Sequence, residues 1–74
     1  MKSIQIHTNG GENFTPAGLM HRYAQQTAGA QFARGHFGEA RLLIADRVYQ
    51  YHHWMITAEG GHEIVTLYLE EVPA

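Results

Sequence analysis

Six histidines stand in a chain of 74 residues that has no cysteine, and they bound the chemistry it could do. Histidine exchanges protons near neutral pH and ligates metals. The densest group is VYQYHHWMIT, Val48 to Thr57, which holds two tyrosines, the adjacent pair His52 and His53, Trp54 and Met55. Metal binding is poorly served by this spacing. Successive strand side chains point to opposite faces, so a regular strand holds His52 and His53 apart. No tight zinc site is expected within one chain. The remaining histidines, His7, His21, His36 and His62, are scattered, with neither HxxxH nor HxH spacing.

Catalysis finds equally little to build on. A cysteine nucleophile is absent, Ser3 is the only serine, and no nucleophile-elbow motif occurs. The pairs Gly10-Gly11 and Gly60-Gly61 lack the Lys-Ser/Thr that a phosphate loop requires. Acid/base cleavage of RNA is the chemistry that histidine could still support, with His36 beside Arg34, or His53 beside Tyr51, as the pair. No spacing singles either out. The expectation is no catalytic residue, no metal ligand and no cofactor.

The elements that must position these residues read as follows. Ser3–Thr8 alternates around Ile4 and Ile6 and forms a strand, broken by Asn9-Gly10-Gly11. Thr15 caps a helix that opens with Pro16. Met20, Tyr23, Ala24, Thr27, Ala28, Gln31 and Phe32 keep helical spacing, which carries the helix through Ala33 to a stop at Arg34-Gly35. Glu39–Ala45, Val48–Thr57 and His62–Glu71 are strands, and Glu59-Gly60-Gly61 marks a hairpin turn. The order is β-α-β-β-β: an α+β, two-layer fold with one helix packed on an antiparallel sheet of about four strands.

Parity then sorts the last two strands. Val48, Gln50, His52, Trp54 and Ile56 join Val65, Leu67 and Leu69 on one face, expected under the helix. Tyr49, Tyr51, His53 and Met55 join Ile64, Thr66 and Tyr68 on the other. One helix covers one side of the sheet, so the second face should meet water, yet it carries tyrosine, methionine and isoleucine. That composition marks an interface core. Tyr49, Tyr51, His53, Met55, Ile64 and Tyr68 are therefore the expected partner-binding residues, the alternative being that the two faces are reversed or that a loop covers this one. Truncating Tyr51 should impair association more than folding, whereas Trp54→Ala should cost about 3–5 kcal/mol of stability.

The totals agree with a small binding protein. A chain of 74 residues makes one domain, residues 1–74, and buries only roughly 60% of its unfolded surface. Charged residues make up 16% and the net charge is −2. A basic stripe is missing, so direct nucleic-acid binding is disfavoured. No apolar run is long enough for a membrane span, and MKSIQIHTNGG does not read as a signal peptide. Cytoplasmic location is the default, and the low charge leaves surface for a protein partner or a homodimer.

The helix read over Thr15–Ala33, and the YQYHHWMI strand followed by the EGG hairpin, resemble the small inhibitory proteins of bacteriophages and mobile elements, anti-CRISPR proteins above all. The likeness lies in architecture and covers most of the chain. It implies a non-enzymatic inhibitor that works in the bacterial host cytoplasm by binding a CRISPR effector or its nuclease. It assigns no individual residue. The alternative that the histidines leave open is a small histidine-dependent ribonuclease of toxin type.

Overall fold

The computed structural model describes residues 1–73. Among these residues the chain forms strand β1 (Lys2–Asn9), helix α1 (Pro16–Gln26), and strands β2 (Ala30–Arg34), β3 (Ala40–Ile44), β4 (Arg47–Glu59) and β5 (His62–Glu71). The strands make one curled antiparallel sheet in the order β1-β5-β4-β3-β2. The fold is α+β as expected, with five strands rather than about four and the order β-α-β-β-β-β.

The extra strand comes out of the expected helix. Thr15 does cap α1: its Oγ1 accepts the Gly18 N–H at 3.0 Å, and Pro16 sits where no helical donor is needed. The helix ends at Gln26, however, and Thr27 is already extended, with φ −127°. Gly29 takes φ +84°, a left-handed conformation that turns the chain back. Ala30, Phe32 and Arg34 then alternate on one side of β2, opposite Ile44, Leu42 and Ala40 of β3. Phe32 satisfies helical and strand periodicity alike. The preceding turn and the partner strand decide between them.

Each hairpin turn has a chemical reason. Gly60 and Gly61, at φ +58° and +84°, give the two positive angles of a type I′ turn between Glu59 and His62. The β3–β4 turn is the two-residue loop Ala45-Asp46, in which Ala45 is forced to φ +58°. After β1, the Glu12 N–H donates to Asn9 O at 2.9 Å, and the Glu12 carboxylate accepts the Asn9 N–H at 3.0 Å. Glu12 also pairs with Arg22 on α1. The Arg22 hydrogen bond, then that of the Asn9 N–H, holds the Glu12 carboxyl below its ordinary range. These contacts fix the loop that carries the chain from β1 to the helix.

The core lies between α1 and one side of the sheet. Leu19 and Met20 of the helix meet Ile4, Ile6, Leu42, Val65, Leu67 and Leu69, all buried. Burying each such side chain stabilises the fold by about 1.5–3 kcal/mol before entropy is subtracted. The expectation that Val65, Leu67 and Leu69 face the helix side is met. The molecule measures 40 × 24 × 21 Å. Its length follows from β4, whose 13 residues span about 40 Å at the usual strand rise.

Candidate protein-docking surface

Strand β4 is much longer than its neighbour β3. The β3–β4 ladder runs from Ile44 opposite Arg47 to Arg41 opposite Gln50. The β4–β5 ladder continues to Glu59 opposite His62. Beyond Tyr51, β4 is therefore bonded along one edge, and among the described residues no strand pairs the other edge. Every residue from His52 to Glu59 is exposed. An antiparallel strand aims alternate N–H and C=O groups at each edge, so this segment carries a row of unpaired backbone donors and acceptors.

A bulge at His52 changes which side chains share a face. Tyr51 lies opposite Leu69 and His53 opposite Tyr68, which leaves His52 as the extra residue. From His53 outward the expected parity holds: Trp54 and Ile56 fall opposite Leu67 and Val65, on the core side. Inward of the bulge it is reversed. Tyr49 and Tyr51 lie on the core side and pack against the buried cluster, and the Lys2 ammonium sits 5.9 Å from the Tyr49 ring centroid. The expectation that Tyr49 and Tyr51 belong to the outer face is corrected accordingly. One unpaired residue shifts the side-chain period by one step, and every residue before it changes face.

The outer face of the distal half keeps the other four expected residues. The rings of His53 and Tyr68 are stacked, with centroids 4.5 Å apart and planes at 8°. Met55 lies opposite Thr66, and Ile64 opposite Thr57. Ile64 and Tyr68 are half-buried and Met55 is 55% exposed. Across the strand, Trp54 is 41% and Ile56 42% exposed, because they lie past the reach of α1. Trp54 meets Phe14 of the β1–α1 loop edge-on, at 5.4 Å and 78°. The sequence reading placed Trp54 in the core. The available signal was length: a strand is covered only as far as its neighbours extend, and the Leu-Leu-Ile strand before it is short.

The bulge also brings the adjacent histidines together, against the expectation that they point apart. Their Nδ1 atoms lie 2.7 Å from one another, within hydrogen-bond distance. The pair presents two adjoining imidazoles on an open edge. No group of three or more His, Cys, Asp or Glu side chains able to hold a metal occurs among the described residues. The two acid/base pairs considered from sequence are not assembled as such. Tyr51 and His53 face opposite sides. Arg34 donates to Gly38 O at 3.0 Å and lies 5.2 Å over Phe32, while His36 packs edge-on against Phe37 at 5.1 Å.

Elsewhere, an open depression of about 510 Å³ lies by the β3–β4 turn. Arg47 and Glu71 within it are paired at 2.7 Å, so its charges largely satisfy one another. No helix among the described residues is long and apolar enough to cross a membrane. Comparison with known protein families, curated proteins and solved structures finds no match to this chain.

Proposed function

We propose that the protein works by binding another protein, without catalysis, through the distal half of the β4–β5 hairpin. The observation that carries this reading is the outer face of the exposed run His52–Glu59, where Met55 stands 55% open to solvent on the same side as the stacked rings of His53 and Tyr68. Aromatic and methionine side chains of this kind supply most of the energy of an interface when a partner covers them. The docking face consists of His53, Met55, Ile64 and Tyr68. The architectural likeness to anti-CRISPR proteins supplies the class of partner: a CRISPR effector or its nuclease in a bacterial cytoplasm, inhibited one to one.

The test is target cleavage by purified effector–guide complexes in the presence of an equimolar amount of the protein. Inhibition is expected with at least one effector class. Met55→Glu should restore cleavage while leaving the melting temperature unchanged. Full cleavage by every class tested at excess protein removes the CRISPR partner. Inhibition unaltered by Met55→Glu and by Tyr68→Ala removes the docking face.

The His52–His53 contact favours one second reading, histidine-dependent RNA cleavage with the pair as proton donor and acceptor. Metal-independent RNA cleavage, abolished by His53→Ala in a folded chain, would establish that alternative over the first.

A further inference from the structure

Between the bulge at His52 and the turn at Gly60-Gly61, the regular stretch of β4 is His53–Glu59. We propose that two copies of the chain join by antiparallel pairing of this stretch with itself, on a two-fold axis through Ile56, to form one continuous ten-stranded sheet.

The register follows from geometry. In an antiparallel ladder, residues directly opposite one another project from the same face. A two-fold axis perpendicular to the sheet keeps the core side of both copies on the same side. A residue can then oppose only one of its own parity, so the axis passes through a residue and not between two. Pairing all of His53–Glu59 puts that axis at its midpoint, Ile56. Met55 then lies opposite Thr57, Trp54 opposite Ala58, and His53 opposite Glu59, each twice.

The chemistry of those pairs is complementary. At both ends an imidazole faces a carboxylate, a donor against an acceptor that becomes an ion pair when the histidine is protonated. The large indole of Trp54 meets the smallest side chain of the stretch. Ile56, 42% exposed in the single chain, meets itself. Each copy's Gly60-Gly61 turn, which carries no side chain, arrives beside the other's bulge. A register centred on Met55 would instead run the ladder through the bulge and leave Glu59 opposite Tyr51. Seven paired residues cover less than the roughly 1,200 Å² of a standard interface, so the dimer belongs to the weak, transient class. The dimer is independent of which protein docks on the outer face.

The chain has no cysteine, so single cysteines report the register cleanly. Directly opposed Cα atoms in such a ladder are about 4.5–5.5 Å apart, within disulfide reach. Under mild oxidation Ile56→Cys should form a covalent dimer at least ten times faster than Gln5→Cys on the exposed side of β1. Sedimentation of the unmodified chain should show a monomer–dimer equilibrium. Ile56→Lys, which sets like charges against one another on the axis, should abolish it with unchanged circular dichroism. A chain that remains monomeric to millimolar concentration, with Ile56→Cys no faster than Gln5→Cys, overturns the dimer. Met55→Cys or Thr57→Cys cross-linking faster than Ile56→Cys overturns the register.

Discussion

Tyr51 and Trp54 lie three positions apart on one strand and still share a face, an arrangement that a regular strand forbids. Their consequences for stability differ from those read off the sequence. Tyr51 packs against the buried cluster beneath the helix, whereas Trp54 keeps 41% of its surface in water. Tyr51→Ala should lower stability by about 2–3 kcal/mol, and Trp54→Ala by only about 1–2, since the truncation term scales with what is buried. Urea denaturation of the two variants gives the order directly, and a larger loss at Trp54 would place that indole in the core after all. Ala45 offers the opposite case. At φ +58° it stands in a left-handed conformation that costs an L-residue about 1–2 kcal/mol, at the turn position that favours glycine. Ala45→Gly should therefore stabilise the fold by about 0.5–1 kcal/mol net of backbone entropy, a rise of a few degrees in melting temperature by calorimetry.

At the scale of elements, the bulge behaves as a spacer. Because Tyr51 and His53 already lie opposite the consecutive residues Leu69 and Tyr68, removing His52 leaves a regular ladder with every other side chain on its present face. A chain lacking His52 should stay folded, within about 1 kcal/mol of the parent, whereas removing Thr66, from a β5 that pairs with β1 without a bulge, should reverse half of β5 and unfold the chain. Thermal melts of the two deletions decide the point. Legibility varied from element to element for reasons of this kind. His62–Glu71 and the two-glycine turn were plain, since alternation and turn chemistry are local properties. Helix α1 could be started from Thr15-Pro16 but not ended, because Ala, Gln and Phe in residues 28–32 suit a helix as well as a strand and their fate rests on pairing with β3. The bulge left no mark that composition could reveal. His53, Met55, Ile64 and Tyr68 thus fall on the outer face that alternation gives them, whereas Tyr49 and Tyr51 fall on the core side, and nothing in the alternation marks the exposure of Trp54 and Ile56.

At the scale of the molecule, the layers are unequal. One helix covers the β2–β3 end and the middle of the sheet, and the distal hairpin extends past it toward the far end of a 40 Å body. That division separates a part that holds the fold together from a part left open to solvent. It also follows from the strand order. β2 through β5 form an uninterrupted series of hairpins, while β1 is placed beside β5, with Lys2 opposite Leu69.

This last pairing orders events in time. Three successive hairpins close over short loops, while β1 must find its partner across nearly the whole chain, and the entropy of closing that loop is met before its contacts repay it. The meander should form at the folding barrier and β1 should dock after it. Gly60→Ala, which puts a β-carbon at a positive φ in the β4–β5 turn, is then expected to slow refolding. Ile6→Val in β1 should mainly accelerate unfolding, with little change in the refolding limb of a denaturant chevron. If Ile6→Val slows refolding as much as Gly60→Ala does, β1 belongs to the nucleus. In the expected order, a newly collapsed chain passes through a stage in which β5, like the distal part of β4, has an open edge, and self-association is most probable then, before the native sheet is complete.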